Sequence, residues 1–498
     1  MEFTSYVLQS FQMLLFWDLP FWIIAGLIIG IFLGALPGVS GVLAISLLLG
    51  PSYYLPALKA IIFLTAIYTG SVYGGGISAV LMNIPGTPAA ICTGFDGYPM
   101  TQQGRHNEAL GLGIMSSAVG LFGSYIIVLF LFLPLGRVVL KFGPAEMLLV
   151  VIFALTSVGM VRSQILPNVL VGLFGILLGT VGSSPYGNTR GILGQSALME
   201  GLPLIPALLG MLAVSELLVM IEKPFVIPEG LRPKQNLGQI VKGMVLTFRY
   251  PKTLFRSSLV GLIVGLMPAA GSTIASIVSY GLAKRAARNP DDFGKGEPRG
   301  VIAAETANNA SEGGAVATMM LLGIPGSVTT ALLIAAFMIH GMSPGPFLVR
   351  ENLDFAYAVI LSQFPIAVIL VLVAALFVNY FGRVIYLPTR ILVPAILVFA
   401  VVGSLANRGL VIDIFVMLLF ALLGFVLKKL DYPVMGFVLG FILGKLVDSE
   451  LLKAILLFEE EVGGLFQRPA FLILLAVNVL SLAWPKLSEL WGGKARAS

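Results

Sequence analysis

The sequence predicts an all-α polytopic membrane protein built as two inverted repeats, each with a re-entrant helical hairpin and a broken transmembrane helix, plus one C-terminal helix. Three observations lead there. The composition is too apolar for water, the chain carries one series of motifs twice, and its basic residues cluster on what must be one side of a membrane.

Of 498 residues, 58% are hydrophobic and 11% charged. A soluble globular chain carries about 25% charged residues. Apolar runs such as 146–161 and 409–427 recur along the whole length, each near the roughly 20 residues that cross ~30 Å of hydrocarbon. A barrel would need alternating polar and apolar positions, and none are present. One cysteine, Cys92, and two scattered histidines, His106 and His340, exclude intrachain disulfides, thiolate metal sites and a histidine metal centre. The formal charge of +6 comes from loops and reads as membrane orientation, not as a nucleic-acid surface. Residues 1–19 contain no Lys or Arg, so a cleaved leader is not expected; they read as a periplasmic or interfacial segment.

The repeat is visible in three ordered matches. Segment 33–45 aligns with 264–276, placing Gly34 on Gly265 and Pro37 on Pro268. Segment 68–87 aligns with 308–327, placing Ser71 on Ser311, Gly74 on Gly314 and 84-IPGT-87 on 324-IPGS-327. Segment 209–218 aligns with 443–452. Repeats of residues 20–221 and 253–453 follow, joined by a basic cytoplasmic linker, 222–252. Residues 454–498 then supply an extra transmembrane helix and a cytoplasmic tail.

Charge orients the copies. Residues 222–256 carry seven basic residues (Lys223, Arg232, Lys234, Lys242, Arg249, Lys252, Arg256), and 284–299 carry five more. By the positive-inside rule the first repeat begins outside and the second inside, so the two are inverted. Arg137 and Lys141 stand against this and are outweighed. Residues 257–283 lie between two basic flanks and divide at 268-PAAGS-272 into two apolar halves of about eleven residues, a length suited to a re-entrant hairpin. The counterpart is 21–50, with its break at Pro37, Gly38, Val39, Ser40 and Gly41. Two kinked ordinary helices are the alternative.

The second motif interrupts a crossing helix. Pro85 and Gly86 stop one half, and Thr87-Pro88 starts the next; in the other repeat Pro325, Gly326 and Ser327 take these places. Thr and Ser are favoured N-caps, and Pro a favoured first helical residue. The hairpin tips end likewise, in Ser40 and in Gly271, Ser272 and Thr273. Unwound backbone at membrane depth lines cavities or is buried in protein, and paired interruptions in two repeats point to a transport site. Four helix N-termini supply unpaired N–H groups and about +0.5 of a charge each, a site for an anion. Segments 21–58, 60–104, 257–283 and 301–349 contain no Lys or Arg, so dipoles, hydroxyls and amides would hold a carboxylate. A trianion would keep about one uncompensated charge, which favours a co-transported cation.

Polar residues in a membrane are functional candidates by default. Asn83, Asn308, Asn309 and Ser311 beside the breaks read as lining the site. Glu312 reads either as a cation- or proton-handling group or as a paired structural carboxylate, and Thr69, aligned with Asn309, as a second cation-coupling candidate. Glu305 reads as interfacial. No cofactor is expected beyond a coupling Na+ or H+.

GALPGVSG, YTGSVYGGGISAVLMNIPGTPAA, the FDGYP at 95–99, ANNAS, LGIPGSVTTALL and MIHGMSPGP resemble the large membrane subunit of the bacterial tripartite tricarboxylate transporters, over about residues 20–485. The resemblance implies a non-enzymatic permease of the bacterial inner membrane. It implies a small four-helix membrane subunit and a periplasmic substrate-binding protein as partners, citrate-like carboxylates as substrates, and ion-gradient-driven uptake. A homodimer is compatible with it. An intramembrane enzyme is the competing class, but HExxH, paired intramembrane aspartates and a Ser–His pair are all missing from the sequence. A passive channel would not need capped, interrupted helices.

Overall fold

The computed structural model describes residues 2–36, 41–161, 165–184, 187–222, 235–268, 271–381, 389–406, 408–458 and 462–492. It is helical throughout, apart from one two-stranded ribbon, β1 (Gly182–Ser183) paired antiparallel with β2 (Thr189–Arg190). The first part of the chain forms α1 (Glu2–Met13), α2 (Leu19–Ala35), α3 (Gly41–Ser52), α4 (Ala57–Met82), α5 (Ile91–Gln102) and α6 (His106–Val139). Then come α7 (Pro144–Val161), α8 (Ile165–Gly179), α9 (Leu204–Leu208) and α10 (Ser215–Glu222), the last two joined by a π-helical turn, Leu209–Val214. The second part forms α11 (Leu237–Thr247), α12 (Pro251–Leu266), α13 (Gly271–Arg285), α14 (Pro298–Leu322), α15 (Val328–Ile339) and α16 (Pro346–Glu351). It ends with α17 (Leu353–Phe381), α18 (Thr389–Ala406), α19 (Val411–Lys429), α20 (Val434–Phe458) and α21 (Pro469–Gly492). Among the described residues, four helices are long and apolar enough to cross a membrane: α4, α6, α17 and α19.

Small residues fix how these helices meet. A methyl group on Gly30 or Gly34 would overlap the carbonyl of Ile67 or Ser71, so α2 lies directly on α4. Contact advances along both helices together, and the Lys59–Asp18 ion pair at 2.7 Å joins their starts. The two are therefore parallel, and α3 must bring the chain back to the side it left. Gly41, at the head of α3, meets the Ser71 side chain about midway along α4, so α3 begins beside the middle of that helix.

The second hairpin repeats the contacts pair for pair. Gly261 meets Ala307 and Gly265 meets Ser311, while Gly314 meets Leu262, Gly265 and Leu266 just as Gly74 meets Ile31, Gly34 and Ala35. Here the return is seen directly. Ser279 on α13 donates to Ser257 on α12 at 2.8 Å and hydrogen-bonds Ala303 on α14. Ser257 and Ser279 both stand about two and a half turns from the break.

The equivalent helices α4 and α14 cross antiparallel, since Thr69 meets Glu312 and Gly76 meets Glu305. Both are encased in protein: every residue from Ala60 to Met82 and from Gly300 to Leu321 is buried. They run 26 and 25 residues, or about 38 Å each, and the Ile-Pro-Gly breaks follow their C-terminal ends instead of dividing them. At the far end α21 is pinned to α7 by Arg468–Glu146 at 2.8 Å and by Asn478, which donates to the Leu149 carbonyl.

Close glycine packing makes a direct prediction. Gly30→Ala and Gly261→Ala should sharply lower the yield of monodisperse protein and its melting temperature, because overpacking costs about 1–3 kcal/mol or more. Gly281, whose added Cβ would meet nothing within 4 Å, should accept alanine without loss. Equal behaviour of all three in a thermal melt would refute the interlock.

Candidate functional site

The site follows from what the breaks do at the ends of α4 and α14. Asn83 caps α4 in the left-handed region (φ 55°) and Gly323 caps α14 at φ 70°. This conformation favours glycine and tolerates asparagine. The chain then turns back: the Gly86 N–H donates to the Gly75 carbonyl at 3.1 Å. Gly86 is packed between Gly34 and Gly75, and Gly326 between Gly265 and Ala315. The next helical segment therefore starts beside the preceding helix, not beyond it.

Three helix N-termini come to lie along one face of α4. Ser327, the N-cap of α15, shares a 3.1 Å hydrogen bond with the Tyr68 hydroxyl. Gly41, at the start of α3, meets Ser71. Thr87, the N-cap of the 3₁₀ turn Pro88–Ala90 that leads into α5, meets Gly75. Tyr68, Ser71 and Gly75 are spaced three and four residues apart, one stripe about 10 Å long. The fourth segment, α13, packs on that same 3₁₀ turn, as does α14.

The two caps differ. Ser327 accepts from the Thr330 N–H, and Thr330 accepts from the Ser327 N–H, a closed capping box. Thr87 makes no side-chain cap bond, and its buried Oγ1 has no partner. Asn308 and Asn309, 1% and 0% exposed, have no partner on either amide atom. Leaving such groups unpaired costs about 1–3 kcal/mol each, which makes these two amides candidates for a polar ligand.

Other expected residues take different places. Asn83 is exposed and acts through its backbone. The Ser311 hydroxyl is used within its own helix, donating to the Asn308 carbonyl at 2.7 Å. Ser272 and Thr273 are inside the first turn of α13, because the helix already begins at Gly271 (φ 67°); they do not cap it. Pro268 is buried in the turn before it, and Pro85 and Pro325 sit in the two breaks. Pro37, Gly38 and Ser40 lie outside the described residues.

Two carboxylates are sealed inside. Glu305 is not interfacial: it is fully buried and accepts from Thr93 at 2.5 Å and Ser117 at 3.0 Å, tying α5 and α6 to α14. The two cation-coupling candidates meet, with Thr69 Oγ1 donating to Glu312 Oε1 at 2.6 Å. A third carboxylate escaped the sequence reading. Asp96 of FDGYP is fully buried; Oδ1 accepts from the N–H groups of Gly294, Gly296 and Glu297, and Oδ2 from the Tyr280 hydroxyl, all at 2.8–3.0 Å. An acidic residue in an otherwise apolar stretch was its only signal. The large surface grooves, including one of about 440 Å³ between α7 and α20, are apolar and contain none of these residues.

Residues 21–439 match the Tripartite tricarboxylate transporter TctA family. The chain is 30% identical over 463 residues to an uncharacterized 52.8 kDa protein in the TAR-I ttuC′ 3′ region of Agrobacterium vitis, covering 92% of this chain and 91% of that one. It is 28% identical over 220 residues to an uncharacterized protein in the TAR-II ttuC′ 3′ region of the same organism, covering 44% of this chain and 91% of that one. No solved structure matches significantly.

Asp96 anchors the segment between α13 and α14. Removing a charged acceptor from three backbone donors costs about 1.5–3 kcal/mol per bond. Asp96→Ala should therefore speed tryptic cleavage after Lys295 at least ten-fold, followed by mass spectrometry of the fragments. Unchanged cleavage would show the anchor to be dispensable.

Proposed function

The chain belongs to the tripartite tricarboxylate transporter TctA family and is the multi-pass membrane subunit of such a system; from that premise we propose that it takes up citrate-like tri- or dicarboxylates by ion-coupled secondary transport. It works in the bacterial inner membrane with a small four-helix subunit and a periplasmic binding protein that delivers substrate. The carrying observation is the stripe of three helix N-termini along α4, in segments without Lys or Arg. Each end offers about +0.5 of a charge and free N–H groups, and a spacing of about 10 Å suits a small molecule with carboxylates at both ends. Thr87, Asn308 and Asn309 supply the uncommitted polar atoms, and Ser327 with Tyr68 forms the opposite, preorganised end.

The repeat arrangement supports a mechanism. Equivalent hairpins packed on equivalent, antiparallel helices make an inverted pair, and inverted pairs exchange inward- and outward-facing states by trading conformations. The glycine-locked hairpins with α4 and α14 form a unit that moves as a body past the other helices, in elevator fashion.

Binding then depends on caps and amides, not on arginines. A cap contributes about 1 kcal/mol, and a hydrogen bond to a charged group about 1.5–3 kcal/mol. In liposomes containing all three components, Thr87→Ala and Ser327→Ala should each weaken radiolabelled citrate uptake about ten-fold or more at unchanged protein level. Arg105→Ala and Arg350→Ala, at the loop ends, should change it far less. Loss of citrate binding in the arginine variants, with binding kept in the cap variants, would end the dipole-held site.

A further inference from the structure

Glu312 is fully buried, and its surroundings decide what it can bind. Oε1 accepts from Thr69, whereas Oε2 is buried with no partner. Among the described residues no Lys, Arg or His pairs with it. Of the elements packed on α14, α4 brings Tyr68 and α6 brings Tyr125 within electrostatic range; the Tyr125 hydroxyl is itself buried without a partner. The basic groups of α12 and α13 (Lys252, Arg256, Lys284, Arg285) stand at the hairpin's open end. Asp96 on α5 and Tyr280 on α13 engage each other, Glu305 is bonded to Thr93 and Ser117, and Arg350 on α16 pairs with Glu351. The remaining titratable groups of α5 are Cys92 and Tyr98. The α15 segment has no titratable side chain.

Protonation needs a single free oxygen atom, and Oε2 is one.

We propose that Glu312 is a proton-binding site, loaded on Oε2, whose occupancy is linked to that of the anion site through Tyr68. This rests on the carboxylate-transport reading above. Tyr68 precedes Thr69 on α4 and hydrogen-bonds Ser327 at the N-terminus of α15, so it stands between the proton site and one end of the anion site. An ionised Glu312 repels a carboxylate bound there; a protonated one does not. By linkage, each ligand then strengthens binding of the other to the same degree. The proton and the carboxylate enter together, and both are released on the inner side.

The test uses the complete three-component system in liposomes, with sodium equal on both sides and membrane potential clamped at zero. The unmodified protein should concentrate citrate several-fold under an inward proton gradient. Glu312→Gln should still exchange external for internal citrate but show about one-fold accumulation, the value without coupling. Thr69→Val, which removes the carboxylate's one hydrogen bond, should shift the pH dependence of uptake, whereas Ser117→Ala, beside Glu305, should not. The proposal is overturned if the proton gradient fails to drive the unmodified protein, if Glu312→Gln accumulates citrate normally, or if Thr69→Val leaves the pH profile unchanged. Absence of citrate exchange by the unmodified protein would instead overturn the carboxylate reading, and this one with it.

Discussion

Glycine backbones laid against the carbonyls of a neighbouring helix are the contact on which everything else in this protein hangs. In a membrane, lipid is as apolar as leucine, so helix association relies on close packing and not on the hydrophobic effect. Gly30 and Gly34 let α2 lie directly on α4, and Gly261 and Gly265 do the same for α12 on α14. Because each pair is parallel and interlocked, the intervening short helix must return. A short helix that runs back beside its partner is thus a consequence of where the glycines stand.

From that constraint the polar interior follows. With hairpins, α5, α6 and α15 wrapped around them, α4 and α14 lose contact with lipid along more than five turns. Only then can Glu305, Glu312, Asn308 and Asn309 sit at membrane depth, since an unpaired polar group facing hydrocarbon would cost several kcal/mol. The same wrapping brings Ser327, Gly41 and Thr87 onto one stripe of α4. In the proposed carboxylate site their N–H groups and dipoles would replace the basic side chains that a soluble site would use. Binding energy of that kind would be preset by the backbone and need little side-chain ordering.

The sequence discloses the positions of the breaks with some accuracy. Pro268 marks the turn after α12, and Thr87 and Ser327 the restarted helices, because proline, glycine and capping hydroxyls act locally. Aligned Gly34/Ser71 and Gly265/Ser311 even anticipate packing partners. The helix lengths were harder to see, since a break following a complete helix looks the same in sequence as one dividing it. Contacts across the antiparallel crossing are invisible to the alignment, which sets Thr69 against Asn309 while the fold sets it against Glu312. Tyr68 went unnoticed for the same reason: its counterpart is Asn308, and only the crossing delivers it to Ser327. Asp96 binds backbone N–H groups almost two hundred residues away, and no local pattern announces such a partner.

The return of α13 along α12 puts their outer ends on one side, which the basic residues there assign to the cytoplasm. Lys252 and Lys284 are exposed at those two ends. The decisive measurement places single cysteines at each position and labels sealed right-side-out and inside-out vesicles with an impermeant maleimide. Labelling of both positions in inside-out vesicles alone is the result the fold requires. Labelling of the two from opposite faces would contradict it.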